Sequence, residues 1–283
     1  MPVIIDMLMP VAGDPYAEMA AETLLPYTQA FADAGLMITP RPWDLGPGDG
    51  AAALALFAWG YHHRVAAWQA MLAAWPADRL LLNPPALLGW NTRKTYLSAL
   101  SADAVPIVPS WFGDADQASV DAAFDAFDVA ELVVKPQISG GSYRTSRIAR
   151  GDSVDLLPQA IIQPLIPAVG DEGELSLIFI GGAFSNAARK VAKPGDFRVQ
   201  PQFGGVFTPL DPSVEAMAIA RHALAALPAA PLYARVDLIR LADGTLALME
   251  LEAIEPDLYP DLDPEVPARL ATAVGAALAT AAQ

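Results

Sequence analysis

Residues Pro231 to Pro256 read PLYARVDLIRLADGTLALMELEAIEP, two alternating apolar runs joined by Asp243-Gly244. An Asp-Gly pair between such runs is the strongest short-range signal for a β-hairpin. Pairing outward from a two-residue turn sets Asp237 opposite Glu250 and Arg235 opposite Glu252. Side chains alternate along a strand with period two, so these four polar groups share one face. Val236, Leu238, Met249 and Leu251 share the other and face a core. Directly opposed side chains lie roughly 5 Å apart, which crowds three carboxylates and one guanidinium into a small patch. Like charges at that range are costly unless a cation sits among them. A hard divalent ion such as Mg2+, which takes oxygen ligands, resolves the conflict. A solvated, salt-bridged hairpin face satisfies the same pattern, and the hairpin alone leaves both readings open.

The chain has 283 residues, enough for about two domains and a sizeable buried core. A formal charge of −15 argues against a nucleic-acid partner, which requires basic surface. There is no cysteine, so disulfides, thiolate metal sites and Cys nucleophiles are excluded. The three histidines, His62, His63 and His222, lack zinc-ligand spacing. The first residues, MPVIIDMLMP, lack the basic region of a signal peptide. No stretch supplies the roughly 18 uninterrupted apolar residues of a membrane span. The expectation is a cytoplasmic protein.

Strand and helix signals alternate through residues 1–90: strands over Val3–Leu8, Met37–Arg41, Ala52–Ala58 and Leu80–Leu82, and helices over Ala17–Ala34 and Arg64–Ala74. That alternation predicts an α/β domain. The glycines of Gly46–Gly50 lack dinucleotide-loop spacing and carry a proline, so they read as a plain loop. Beyond them the pattern predicts a helix opening near Thr92, a proline-flanked strand Val105–Pro109 and a helix Ser119–Ala126. Strands are expected over Glu131–Pro136, Ser146–Ala149 and Ala160–Gln163, and a hairpin Glu174–Ile180/Ala183–Lys190 about Gly181-Gly182. Helices are expected over Val214–Leu227 and Val266–Ala279.

Directly after the strand that carries Lys135 comes Ser139-Gly140-Gly141-Ser142. Small residues let backbone N–H groups close on phosphate oxygens, and the hydroxyls add donors. A β-turn is the plainer reading, and the spacing is not that of a Walker A loop. The chain spends only four lysines, Lys94, Lys135, Lys190 and Lys193. Lysines so scarce, on an apolar strand and beside a glycine loop, point to ligand contacts.

The order Lys94, Lys135, Gly-rich loop, Gln163-Pro-Leu-Ile166, Glu174, Lys193, Arg198, Arg235, Asp237, Glu250, Glu252 resembles the ATP-grasp superfamily. Within it the resemblance is to carboxylate–amine ligases such as D-alanine–D-alanine ligases and glutathione synthetases. It covers residues 91–260, and the run from Gly173 to Gly205 with YARVDL and MELE is most similar to the branch containing the O-ureido-serine cyclo-ligase of cycloserine biosynthesis. The resemblance implies an α/β fold (α+β in the ATP-grasp part): an N-terminal Rossmann-like pre-ATP-grasp domain, 1–90, followed by a two-lobed ATP-grasp fold. Its small subdomain would span 91–165 with the Gly-rich lid, and its C-terminal subdomain 166–283 with the Mg2+ site.

It further implies that Lys94 and Lys135 reach the ATP phosphates and that Ser139, Gly140, Gly141 and Ser142 cap them. Gln163, Leu165 and Ile166 would present backbone to the adenine edge, with Gln163 standing where many relatives have Glu. Glu174 would accept from the ribose, and Lys193 and Arg198 would hold the γ-phosphate. Asp237, Glu250 and Glu252 would bind two Mg2+ ions, for which Mn2+ can substitute. Glu252 departs from the Asn common at that position.

The activity implied is ATP-dependent activation of a carboxylate as an acyl phosphate, attacked by an amine of a small amino-acid-like substrate, in one version by ring closure. Arg235 would stabilise the tetrahedral oxyanion, as a catalytic group beside Lys193 and Arg198. Arg144 and Tyr143 in the lid, Tyr259, and Tyr61 and His62 are candidate substrate contacts. Two readings stand beside this one: a ligase acting on a peptide, and a nucleotide-binding module without catalysis. A symmetric homodimer is common for enzymes of this size. Glu250→Gln is expected to abolish ATP-dependent turnover while leaving the circular-dichroism spectrum unchanged; full activity in that variant would remove the metal assignment.

Overall fold

The computed structural model describes residues 2–281 and 283. The first apolar run forms β1 (Val3–Met9), and α1 (Ala17–Asp33) follows and stops at Gly35, whose φ of +76° suits only a residue without Cβ. Then come β2 (Leu36–Pro42), β3 (Ala52–Leu54), α2 (Val65–Ala73) and β4 (Leu81–Leu82). The four strands pair in parallel in the order β2-β1-β3-β4. The glycine loop expected to be plain has a structural task here. Gly48 and Gly50 N–H donate to the carboxylate of buried Asp6, at 2.9 and 3.1 Å.

Three expectations need correction. The strand predicted over Ala52–Ala58 ends at Leu54, because the chain turns there, with Ala58 N–H on Ala55 O at 2.9 Å, to carry Trp59–His62 away from the sheet. An unpredicted short helix, α3 (Pro85–Asn91), comes first, and the helix predicted to open near Thr92 starts later, as α4 (Tyr96–Ala102). Between them Lys94 N–H donates to Gln137 O at 2.8 Å, a bond the helix gives up a turn to make. Val105–Pro109 is no strand: Pro106 and Pro109 have no N–H to offer, and only Ile107 bridges, to Leu248.

The chain continues through β5 (Trp111–Ala115), which the sequence reading missed, and α5 (Gln117–Phe127), opened by an Asp116–Ser119 capping box. Next are β6 (Glu131–Pro136), β7 (Ser146–Ala149) and β8 (Leu157–Pro164), forming an antiparallel sheet in the order β5-β8-β6-β7. A third sheet, β11-β10-β9-β12-β13, is built from β9 (Glu174–Ile180), β10 (Ala183–Val191), β11 (Val206–Pro209, also missed), β12 (Tyr233–Arg240) and β13 (Leu246–Glu252). Between β11 and β12 runs α6 (Val214–Ala225), capped by Ser213, and α7 (Val266–Ala281) closes the chain.

One face of the five-stranded sheet is covered by α3, α4 and α6 through Leu87, Leu97, Ala220, Val236, Leu238 and Leu251. Its other face lies towards the cleft described below. At one end of its interior strands β9 and β12, Ile178, Ile180 and Tyr233 join α1, α7 and the parallel sheet in a shared core.

A single side chain stitches the parallel sheet to this one. Buried Asn83, just past β4 and at φ +62°, donates to Tyr233 O at 2.8 Å and Ala253 O at 2.7 Å and accepts from Leu232 N–H at 2.6 Å. Asn tolerates a left-handed backbone better than other residues with a Cβ. Asn83→Ala strands three buried backbone groups, and unpaired groups of this kind cost 1–3 kcal/mol each. Urea denaturation is expected to show a loss of roughly 3–5 kcal/mol; a change below about 1 kcal/mol would deny Asn83 this role.

Candidate active site

The hairpin places its polar face as its alternation predicts, by a different route. Asp237 pairs with Glu250 and Arg235 with Glu252. At the turn, however, Leu241 N–H bonds Thr245 O at 2.8 Å, a three-residue loop with Gly244 at φ +87°. Arg240 therefore pairs with Leu246, one residue out of the expected phase. A bulge between Asp237 and Leu238 restores it, with Met249 as the extra residue on β13. Met249 consequently lines the cleft, contrary to the expectation that it faces the core.

That cleft, about 540 Å³, lies between the five-stranded sheet, the β6–β7 sheet and the segment after β3. Five lysine and arginine side chains and six carboxyl groups line it, so charge of both signs is packed into one floor. One oxygen from each of Asp237, Glu250 and Glu252 lies within 4.8 Å of the others. Each carboxylate has a basic neighbour: Glu250 has Lys94 at 3.0 Å, Glu252 has Arg235, and Asp237 has Arg235 at 3.1 Å and Lys190 at 3.3 Å. Ser176 Oγ also donates to Asp237.

Burial raises the Asp237 carboxyl, but Arg235 and Lys190 outweigh it and hold it below the usual range. For Glu250, burial is likewise outweighed by Lys94 and Lys135, which lower it. Glu252 goes the other way: burial, with Glu250 and Asp237 nearby, pushes it up to about 7 despite Arg235. An all-oxygen donor set with one carboxylate reluctant to ionise fits a hard divalent cation.

Lysine placement departs from expectation. Lys193 is exposed and does not line the cleft; its stem packs against Gly204. Lys190, counted among the scarce lysines but given no place in the family order, is buried in the floor between Glu174 and Asp237. Burial works against its charge, yet Asp237 and Glu174 hold its ammonium above the ordinary lysine range. Its signal was parity: Lys190 pairs with Glu174 across β9 and β10, and so shares its face. Glu174, expected at the ribose, is thus engaged with Lys190, and burial raises its carboxyl.

Lys94 also donates to Ser139 O, which couples the α3–α4 break to the lid. Lys135 lines the cleft from β6, its ammonium lowered by burial. The residues Ser139 to Ser142 all line the cleft. The lid rests on both sides: Ser142 Oγ donates to Gln200 Oε1 at 2.8 Å, and Tyr143 packs on His62 and His63 at centroid distances of 5.6 and 4.8 Å. Arg198 lines the opposite loop, paired with Asp196 at 2.8 Å and lying 3.8 Å over the Phe203 ring.

Gln163, Leu165 and Ile166 line the cleft where β8 ends. Gln163 is buried and donates to Ser110 Oγ at 2.8 Å, and Leu165 N–H is taken by Glu131 O at 3.0 Å. Ile166 N–H pairs with no acceptor among the described residues. Of the substrate-contact candidates, Tyr61, His62 and Tyr259 line the cleft, and Tyr143 and Arg144 do not. Arg144 is exposed at the lid tip.

Two residues absent from the sequence reading hold this arrangement in place. Asn91 bonds the free edge of β13, donating to Leu251 O at 2.9 Å and accepting from Ala253 N–H at 2.8 Å, and Tyr96 Oη accepts from Leu251 N–H at 2.9 Å. They carry no motif, and only the topology reveals them. No helix among the described residues is long and apolar enough to cross a membrane.

No family model matches the chain. It is 29% identical over 263 residues to the cycloserine biosynthesis protein DcsG of Streptomyces lavendulae, covering 82% of this chain and 86% of that one. Among solved structures it superposes on D-cycloserine synthetase DcsG with a TM-score of 0.82 at 25% identity, covering 97% of this chain and 99% of that one. D-Alanine–D-alanine ligase from Bacillus anthracis gives a TM-score of 0.70 at 16% identity, over 99% and 98%. The ATP-grasp ligase PsnB, complexed with a phosphomimetic variant of its minimal precursor, Mg and ADP, gives 0.67 at 16%, over 97% and 98%.

Lys190→Met leaves Glu174 and Asp237 buried with one cation fewer. Removing one partner of a buried ion pair costs about 3–5 kcal/mol. The folded Glu174 carboxyl is already raised above its unfolded value, so the folded state binds the extra proton. Stability of the variant is therefore lost as pH rises through that folded value. Thermal melts are expected to show the largest deficit near pH 7.5, a smaller one near pH 5.5, and recovery in Lys190→Arg. An equal deficit at both pH values would contradict this account.

Proposed function

We propose that this chain, an ATP-grasp carboxylate–amine ligase, activates the carboxylate of a small amino-acid-like molecule as an acyl phosphate and closes it onto a nitrogen of the same molecule, releasing ADP and phosphate. What carries the reading is the carboxylate trio Asp237, Glu250 and Glu252 gathered around Arg235, beneath a glycine lid and among Lys94, Lys135 and Lys190. The likeness to a cycloserine synthetase over nearly the whole chain supports ring closure.

In this reading Lys94, Lys135 and the N–H groups of Ser139–Ser142 bind the phosphates, and Ile166 N–H with the Leu165 carbonyl faces the adenine edge. Lys190, with Arg198, takes the γ-phosphate role that the family resemblance implied for Lys193 and Arg198. Asp237, Glu250 and Glu252 hold Mg2+, which when bound offsets repulsion between the substrate carboxylate and the phosphates. Arg235 Nη1, whose one hydrogen bond among the described residues is to Asp257 O at 3.4 Å, has donor capacity left for a developing oxyanion. Once closed, the lid keeps water from the acyl phosphate.

Its contacts with Gln200 on one side and His62 on the other leave a short, capped cleft, which favours a small substrate over a peptide. The test is phosphate release from Mg-ATP across amino acids, ureido-amino acids and dipeptides. Stimulation by a ureido-amino acid, with a product one water lighter than that substrate by mass spectrometry, is expected. A product joining two molecules would replace ring closure with intermolecular ligation. Stimulation by peptides alone would move the substrate class, and ATP binding without stimulation by any of them would overturn the reading.

A further inference from the structure

One wall of the cleft has no task in that scheme. It is formed where His62, following the short turn after β3, meets Glu255, three residues beyond the metal strand, under Gly140 of the lid. The His62 side chain is buried, with 9% of the residue exposed, and neither ring nitrogen has a hydrogen-bond partner. Its Cε1 and Nδ1 lie 3.2 Å from the point a Cβ on Gly140 would occupy, and Glu255 Oε1 lies 3.9 Å from the same point. The Glu255 carboxylate makes no ion pair among the described residues, although its backbone carbonyl accepts from Trp59 Nε1 at 3.2 Å.

The basic groups nearby are committed elsewhere. Lys94 serves Glu250 and Ser139 O, and Arg235 serves Asp237, Glu252 and Asp257 O. A partly buried carboxylate and a buried imidazole that both face Gly140 without partners are costly, and each costs less once a ligand supplies what it lacks. Burial, with Glu252 and Glu250 nearby, raises the Glu255 carboxyl well above its usual range, so it ionises fully only against a cation, while His62 lacks a donor. Burial, His63 and Lys94 hold the imidazole down to about 4, so it is neutral and keeps one nitrogen as an acceptor. A primary ammonium, with three N–H donors and a positive charge, answers both. A second carboxylate or a phosphate brings neither the cation that Glu255 lacks nor a donor for His62.

We propose that Glu255 and His62 form an ammonium-binding subsite that admits only substrates with a free, protonated amino group. This deepens the ligase reading and rests on it for the substrate's other end. Held protonated against Glu255, that nitrogen has no lone pair. The attacking nitrogen is therefore a different one, and the ammonium acts as a handle that orients the carboxylate towards Arg235.

The test uses the full-length protein loaded with Mg-ADP and three probes measured by calorimetry: O-ureido-D-serine, its N-acetyl derivative and its desamino analogue. Wild type is expected to bind the free amine about tenfold or more tightly than either analogue. Glu255→Gln, isosteric and free of a buried unpaired charge, is expected to melt no lower than wild type and to bring that ratio to within about twofold. His62→Phe should narrow the ratio in the same direction. Equal binding of all three probes by wild type, no binding of any of them, or an undiminished ratio in Glu255→Gln would overturn the subsite. Phosphate release from Mg-ATP separates the two claims. Turnover of the desamino analogue at wild-type efficiency keeps the ligase and removes the subsite. Amine-selective binding without phosphate release keeps the subsite and removes the ligase.

Discussion

An ammonium taken out of water needs an anion and a hydrogen-bond acceptor within reach, and the arrangement of this cleft follows from how Lys94 meets that need. Its Nζ finds the Glu250 carboxylate at 3.0 Å and the carbonyl of Ser139. One contact belongs to β13 and the other to the glycine loop after β6. The backbone amide of the same residue is drawn to Gln137 O, which breaks the helix and sets the stem at the right height. A single residue thus joins the α3–α4 break, β13 and the segment after β6 by one ion pair and two hydrogen bonds. Glu250 stays ionised because of it, with Lys135 as the second support.

Around that contact the floor is a lattice of mutual dependence. Arg235 bridges Asp237 and Glu252, and Lys190 bridges Asp237 and Glu174. No member is stable in the apolar interior alone, since an unpaired buried charge costs several kcal/mol. The neutral partners matter as much. Asn91 and Tyr96 close the edge of β13 with side-chain groups where a further strand would otherwise pair. That leaves β13 anchored and its charged face free to line a cavity.

Much of this was legible in the chain as written, and the reasons differ by element. Period-two alternation named the charged face of the hairpin, and glycine at Gly35, Gly181 and Gly182 marked where elements stop. Parity also held the clue to Lys190, opposite Glu174, but family order drew the assignment to Lys193, which the fold leaves exposed. Trp111–Ala115 pairs with Leu157–Pro164, far along the chain, and Val206–Pro209 pairs back to β10 across the long loop 192–205, so no tight-turn signal nominates either. The break at Lys94 is set by Gln137, and Asn83 and Asn91 work through carbonyls more than a hundred residues away. The wall of His62 and Glu255 is likewise a product of topology: nothing in the sequence near either residue announces the other.

The extra residue at Met249 has a consequence that reaches beyond geometry. In a sheet, chemistry is a matter of odd and even. Were the phase set at the Leu241–Thr245 loop to continue unbroken, Met249 would face Asp237 and Leu251 would face Arg235. Glu250 and Glu252 would then point into the layer of leucine and valine under α6. A length change of one residue in β13 therefore does not shift the carboxylates along the cleft by a few ångströms. It turns them inside out, trading the site's ions for methyl groups, so insertions and deletions here are all-or-none where substitutions are graded.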